Sequence, residues 1–180
     1  MLEQNLFAGF GGQGMLLIGQ FLAYAGMIEG KYVSWLPSYG PEMRGGTANC
    51  SVVISDKPIA SPVITKATCV VAMNRPSLEK FEDTVREGGT IIINSSLIDI
   101  KTKRDDVRAI YLPTMEIAEK LGNPQVANMI VLGAYLELSK CVKLESILEA
   151  LLDKLGKRKA HLVDINKVAI EEGAKCVLGM

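Results

Sequence analysis

A three-layer α/β/α fold, with a mostly parallel sheet and a helical C-terminal third, is the class that this sequence predicts. Three observations carry it. The chain opens strand, glycine loop, helix, strand; its strand-like apolar runs are confined to the first 112 residues; and the remainder carries helical spacing. At 180 residues, 48% hydrophobic and 22% charged, it suits one globular domain over 1–180 with a sizeable core.

Asn5–Phe10 is a short apolar run that ends at a cluster of glycines. Met15–Glu29 then places Leu16, Leu17, Phe21, Leu22, Ala25 and Ile28 at helical spacing, and Gly30 ends that helix. Tyr32–Leu36 reads as the second strand. A βαβ unit results, whose usual outcome is a parallel sheet with the helix on one face. Pro37–Gly46 holds too many prolines and glycines for regular structure. Asn49–Ser55 is a strand, and the turn expected at Asp56–Lys57 suits an antiparallel neighbour.

Thr68–Met73 is a third apolar run. Pro76 sits just inside a helix expected over Ser77–Arg86, where its missing N–H costs nothing. Gly88–Gly89 leads into Thr90–Asn94, whose Ile91–Ile93 run suits a strand buried on both faces. Arg108–Leu112 is another strand. Asn123–Pro124 opens a helix to about Lys140 as cap and first turn. Leu144, Ile147, Leu148, Leu151, Leu152 and Leu155 mark an amphipathic helix expected to pack on the sheet, and a last helix runs from about Asp164 to Lys175.

Composition excludes several classes of function. Twenty basic and twenty acidic residues balance, so neither nucleic acid nor an anionic membrane is an expected partner. Cys50, Cys69, Cys141 and Cys176 lie far apart, making no C-x-x-C and no iron–sulfur run, and they read as small buried hydrophobes. One histidine, His161, removes most zinc arrangements and is expected to be structural. No signal-like N-terminus and no apolar run of roughly 18 residues is present, so a soluble, cytoplasmic protein is expected.

Gly9-Phe10-Gly11-Gly12-Gln13-Gly14 matches G-x-G-x-x-G after a strand and before a helix, a Rossmann-like context. Glycines admit positive φ there, and a helix N-terminus offers N–H groups to an anion, so Gly11, Gly12, Gln13 and Gly14 are candidates for contacting a phosphate. A dinucleotide site needs an acid at the end of the second strand. Val33-Ser34-Trp35-Leu36-Pro37 has none; Glu29 precedes the strand and Glu42 lies beyond it. A nicotinamide or flavin is therefore disfavoured, against either a turn that binds nothing or a loop shaping a site shared with another chain. No nucleotide-binding lysine motif, serine elbow or nucleophile with a histidine base occurs, so no catalytic residue and no metal ligand is assigned.

The second loop adds Ser38, Tyr39, Gly40, Glu42, Arg44, Gly45 and Gly46 as candidate interface or site-shaping residues. Loops at strand C-terminal ends share one edge of an open sheet, which predicts that both glycine-rich loops lie close together. Tyr39, Trp35 and Met43 suit interface anchors or core equally, and for Trp35, on a strand, the core is favoured.

At these residues the chain resembles the gamma subunit of 2-oxoacid:ferredoxin oxidoreductases. The resemblance rests on the Gly9–Gly14 loop followed by Ser38-Tyr39-Gly40-Pro41-Glu42-Met43-Arg44-Gly45-Gly46. Ile54-Ser55-Asp56, Pro58-Ile59-Ala60-Ser61-Pro62, Asn74-Arg75-Pro76-Ser77 and Asn128-Met129 continue it over nearly the whole chain. The resemblance implies alpha and beta partner subunits, a ferredoxin-like delta subunit in some assemblies, and ferredoxin as acceptor. It places thiamine diphosphate, magnesium and iron–sulfur clusters on those partners, with coenzyme A as cosubstrate and no cofactor held firmly by this chain. The second loop looks more like 2-oxoglutarate or branched-chain oxoacid enzymes than pyruvate ones; an indolepyruvate enzyme's smaller subunit is a further relative. The competing classes are a free-standing dinucleotide oxidoreductase and a binding subunit without redox chemistry.

Overall fold

The structure, a computed structural model, describes residues 1–38, 47–156 and 161–178. Strands β1 (Leu2–Phe10), β2 (Tyr32–Ser38), β3 (Thr47–Ser55), β4 (Ala67–Ala72), β5 (Val85–Asn94) and β6 (Arg108–Leu112) form one sheet in the order β2-β3-β1-β4-β5-β6. Among the described residues the α-helices are α1 (Met15–Ile28), α2 (Arg75–Phe81), α3 (Thr114–Lys120), α4 (Ala127–Ser139), α5 (Leu144–Leu155) and α6 (His161–Lys175). All strands but β3 run in one direction, as the expected mostly parallel sheet requires.

The apolar runs read from the sequence are the middle of that sheet. β4 is buried along its whole length, with Cys69 and Val71 facing one core and Val70 and Ala72 the other. Ile92 joins the first core and Ile91 and Ile93 the second, so a strand covered on both faces takes an unbroken apolar run. The two layers of cover are unequal. α1, α3, α4, α5 and α6 all contribute to the larger core, where the Phe7 ring meets Tyr135 edge-on at 5.5 Å. The smaller core is closed by Leu78 of the short α2 and by Ile98 and Ile64 from loops.

Several elements differ from the sequence expectation. β1 and β2 are parallel but not neighbours, because β3 returns between them, antiparallel to both. The connection after β2 reverses the chain, and β3 then takes the backbone hydrogen bonds that a simple βαβ unit would have used. The helix expected over Ser77–Arg86 stops at Phe81, passes through a 3-10 turn at Glu82–Thr84 and gives way to β5 at Val85. Val85 is fully buried opposite Ala67, and sheet pairing outweighs helical propensity there. Gly88, at φ 69°, lies within β5, its N–H donating to the Asp106 carbonyl at 2.9 Å.

The C-terminal third is helical as expected, with three changes. α3 was not signalled by periodicity. The helix expected from Asn123 begins as a 3-10 turn, Pro124–Val126, in which the Asn123 side chain accepts the Gln125 N–H at 3.0 Å. α5 packs on α1 and α6, with Ile147, Ala150 and Leu151 inward, not on the sheet. Its first turn is capped from a distance: Glu29 Oε1 accepts the Lys143 N–H at 2.6 Å and the Ser146 hydroxyl at 2.8 Å.

α4 and α6 cross at reciprocal glycines. A Cβ on Gly133 would sit inside the Ile170 carbonyl, and one on Gly173 inside the Ile130 carbonyl, so the two backbones touch with no room for a methyl group. Gly133→Ala and Gly173→Ala are each expected to lower stability by about 2–3 kcal/mol, the usual scale of overpacking. A drop in the urea midpoint at unchanged slope is the measurement that checks it.

Candidate functional site

The sheet contains one place where ligands gather by topology. From β1 the chain crosses to β2 on one side; from β4 it proceeds through β5 to β6 on the other. The crevice between the C-terminal ends of β1 and β4 is therefore a switch point, the usual ligand position of open α/β sheets. Ala8 and Ala72 are the last paired residues, and the Met73 N–H still reaches the Ala8 carbonyl at 2.9 Å. Beyond them the strands part, β1 into Gly11–Gly14 and β4 into α2.

Side-chain amides bridge the parting strands. Gln13 Oε1 accepts the Phe10 N–H at 2.6 Å and faces Asn74 Nδ2 at 3.4 Å, while Gln13 Nε2 donates to the Met73 carbonyl at 3.3 Å. Asn94 Nδ2 donates to that same carbonyl at 3.4 Å. Asn94 Oδ1 in turn accepts the Thr114 hydroxyl at 2.7 Å and the Ser96 N–H at 3.2 Å. Asn74 also caps α2, its Oδ1 accepting the Ser77 N–H at 2.9 Å. One hydrogen-bonded row thus runs along the ends of β1, β4, β5 and β6. Asn74, Asn94 and Thr114 are buried. Sequence reading assigned none of these three a role in a site, although the signal was present: each closes or follows an apolar run, at Met73-Asn74, Ile93-Asn94 and Pro113-Thr114.

The first loop is brought to this crevice. Gly12 and Gly14 adopt φ of 94° and 75°, which favour glycine. A Cβ on Gly14 would collide with the Asn128 amide, so α1 starts hard against the beginning of α4. Gly12 faces open space, and Gly11 and Gly12 are exposed. Among the described residues, neither Gly11 nor Gly12 makes a hydrogen bond. Ser38 ends β2 at the same edge: Ser38 pairs with Asn49 and Phe10 with Thr47, so the ends of both loops share that edge. Tyr39, Gly40, Glu42, Met43, Arg44, Gly45 and Gly46 lie outside the described residues. Trp35 packs against the larger core, as expected of it.

Among the described residues, this edge is lined by groups that can bind and orient. Its row is made of neutral amides and a hydroxyl; the charged groups at its rim are engaged, Arg75 with Glu79 at 2.8 Å and Glu116 with the Ser96 hydroxyl. The Ser96 hydroxyl holds the Glu116 carboxyl below its ordinary range. Cys50, Cys69 and Cys141 are buried in the larger core, and burial pushes the Cys50 thiol up to about 12. Buried, dispersed thiols do not fit an iron–sulfur cluster, and among the described residues no group of three or more His, Cys, Asp or Glu gathers to hold a metal. A dinucleotide fits poorly as well. β3 occupies the place beside β1 where the ribose-binding strand would lie, and Glu29 is committed to capping α5. Among the described residues no helix is long and apolar enough to cross a membrane.

A doubly wound domain with a glycine loop at its switch point and a row of neutral amides beneath it is what fold and site define together. The chain belongs to the pyruvate ferredoxin/flavodoxin oxidoreductase family, which it matches over residues 4–176. It is 40% identical over 167 residues to ketoisovalerate oxidoreductase subunit VorA of Methanothermobacter marburgensis, covering 93% of this chain and 35% of that one. It is 36% identical over 160 residues to 2-oxoglutarate synthase subunit KorC of Methanocaldococcus jannaschii, covering 87% of this chain and 86% of the relative. The solved gamma subunit of a keto/oxoacid ferredoxin oxidoreductase from Geobacter sulfurreducens superposes with a TM-score of 0.84 at 28% identity, over 99% of both chains. The chain thus spans about a third of the VorA relatives and most of the KorC relative.

Two measurements test the site's physical description. Asn94→Ala strands the Thr114 hydroxyl and is expected to cost about 1–3 kcal/mol, read as a lowered thermal midpoint. In the native protein at pH 8, a thiol reagent is expected to modify the half-buried Cys176 first, with Cys50, Cys69 and Cys141 labelled only on unfolding; peptide mass spectrometry checks the order.

Proposed function

We propose that this chain is the gamma-type subunit of a thiamine-diphosphate-dependent 2-oxoacid:ferredoxin oxidoreductase, and that it contributes binding surface and no reacting groups. The observation that carries the reading is family membership over residues 4–176, joined to a glycine loop seated over a row of neutral amides at the switch point. The assembled enzyme converts a 2-oxoacid and coenzyme A into acyl-CoA and carbon dioxide, with electrons leaving to ferredoxin. Thiamine diphosphate, magnesium and the iron–sulfur clusters belong to alpha, beta and delta-type partners. Among the described residues no group of three or more His, Cys, Asp or Glu gathers to hold a metal, in keeping with that division of labour.

The substrate class is a branched-chain or dicarboxylic 2-oxoacid in preference to pyruvate. The names of relatives at 40% and 36% identity, ketoisovalerate oxidoreductase and 2-oxoglutarate synthase, support that preference, as does the form of the second loop. A cytoplasmic location goes with the free, mostly buried cysteines.

Gly11, Gly12, Gln13 and Gly14 face the coenzyme A region of the assembly, with Ser38, Tyr39, Gly40, Glu42, Arg44, Gly45 and Gly46 shaping the contact to the catalytic chains. Exposure of Gly11 and Gly12 supports this, and so does the adjoining sheet face. Strand alternation puts Phe10 and Leu36 on the face opposite α1, where they remain 38% and 44% exposed. Apolar side chains left in water beside a ligand edge suit a partner surface.

The test is kinetics of the complex reconstituted from all its subunits, carrying Gly12→Ala or Arg44→Ala. Each is expected to raise the KM for coenzyme A, or the dissociation constant of the complex, about tenfold or more, the scale of small misplacements at a reacting centre. Wild-type assembly together with wild-type coenzyme A kinetics in both variants would refute the assignment.

A further inference from the structure

We infer that Gln13 is the positioning residue of the glycine loop: its carboxamide holds Gly11 and Gly12 in the conformation that they present at the mouth of the crevice. The inference rests on the reading of that loop as a contact for coenzyme A or the catalytic chains, and it names what sets the contact's geometry.

Where β1 and β4 part, each strand has a polar group whose pairing ends. Phe10 turns an N–H toward the gap and Met73 a carbonyl. One side chain satisfies both, Gln13 accepting from Phe10 at 2.6 Å and donating to Met73 at 3.3 Å. The loop backbone supplies little of its own. Its turn is closed by the Gln13 N–H on the Phe10 carbonyl at 3.1 Å, and among the described residues Gly11 and Gly12 add no hydrogen bond. Two glycines with free φ and ψ do not hold one conformation unaided, because glycine loses the most conformational entropy on ordering. The clamp is itself oriented. Asn74 Nδ2 lies 3.4 Å from Gln13 Oε1, and Asn94 Nδ2 shares the Met73 carbonyl at 3.4 Å, so the amide is fixed with its oxygen toward Phe10.

The side chain must be an amide of this length. A glutamate in its place would keep the acceptor for Phe10 but set a carboxylate oxygen against the Met73 carbonyl. An alanine would leave the Phe10 N–H unmet and the Met73 carbonyl with Asn94 Nδ2 alone. There is no room to close the gap with bulk from the other side: a Cβ on Gly9 would lie 2.7 Å from Gln13 Oε1 and 3.1 Å from Met73 Cβ. Gln13 touches no reacting atom in this scheme and acts only through the backbone of its neighbours.

The experiment compares wild type, Q13A, Q13E and G12A in the fully assembled complex, with amide hydrogen exchange of residues 9–14 followed in the same preparations. Q13A and Q13E are expected to speed exchange about tenfold at the amide of residue 13, and Q13A also at that of Phe10, the two amides of the loop that are hydrogen-bonded, the worth of one lost hydrogen bond. They are expected to reproduce the defect of G12A, a rise of about tenfold or more in the coenzyme A KM or in the dissociation constant of the complex, with kcat changed less than about twofold. A merely structural role would lower stability and active fraction, moving kcat and leaving KM in place. Unchanged exchange at Phe10 and at residue 13 in Q13A overturns the inference. So does faster exchange with wild-type KM and assembly while G12A shifts them, an outcome that leaves the loop reading standing. If neither G12A nor Q13A shifts KM or assembly, the loop reading itself fails and takes this inference with it.

Discussion

The structure depends on β1 having two unlike neighbours. It pairs antiparallel with β3 along its full length and parallel with β4 over four residues. The first pairing fixes the edge of the sheet that holds β2. The second begins the parallel run through β5 to β6. Because the two halves wind away from each other, the C-terminal end of β1 is the point at which no strand can continue the pattern on the β4 side. The chain places its densest glycine sequence at that point, where open α/β sheets usually take ligands.

Neutral side chains fill the parting for a physical reason. Buried charge in such a place costs several kcal/mol per ion unless it is paired. A row of carboxamides avoids that cost, since each amide is donor and acceptor at once and successive members satisfy one another. Gln13, Asn74 and Asn94, with the Thr114 hydroxyl at one end, do this over four strand ends. A row satisfied from within is rigid, and it presents glycine backbone outward. That suits a subunit whose task is to hold a ligand or a neighbouring chain in register while chemistry proceeds elsewhere.

The unequal layers have a related consequence. Five helices crowd one face, with α4 and α6 in backbone contact and α5 stacked on α1 as a second tier. The opposite face has one seven-residue helix and loops. The β2–β3–β1 half of that face keeps Leu36 and Phe10 in solvent next to the glycine edge. In relatives such as VorA, the matched region is about a third of a longer polypeptide.

By itself the sequence determined the α/β class, the central apolar strands, the helical last third and the glycine loop between the first strand and helix. Each of these is written in local periodicity or in residues with special backbone freedom, which act over a few positions. The motifs of both loops also carried the family. Only the tertiary structure decided that β3 lies between β1 and β2, that Val85 belongs to a strand and that α5 rides on α1. It also decided that Gln13, Asn74, Asn94 and Thr114 form one row. Those outcomes depend on pairings between residues tens of positions apart: Asn74 meets Gln13 across 61 positions and Glu29 meets Lys143 across 114. An asparagine at the end of an apolar run looks like a simple stop signal in one dimension. It becomes part of a site when hydrogen bonding between strands brings several such ends to one edge.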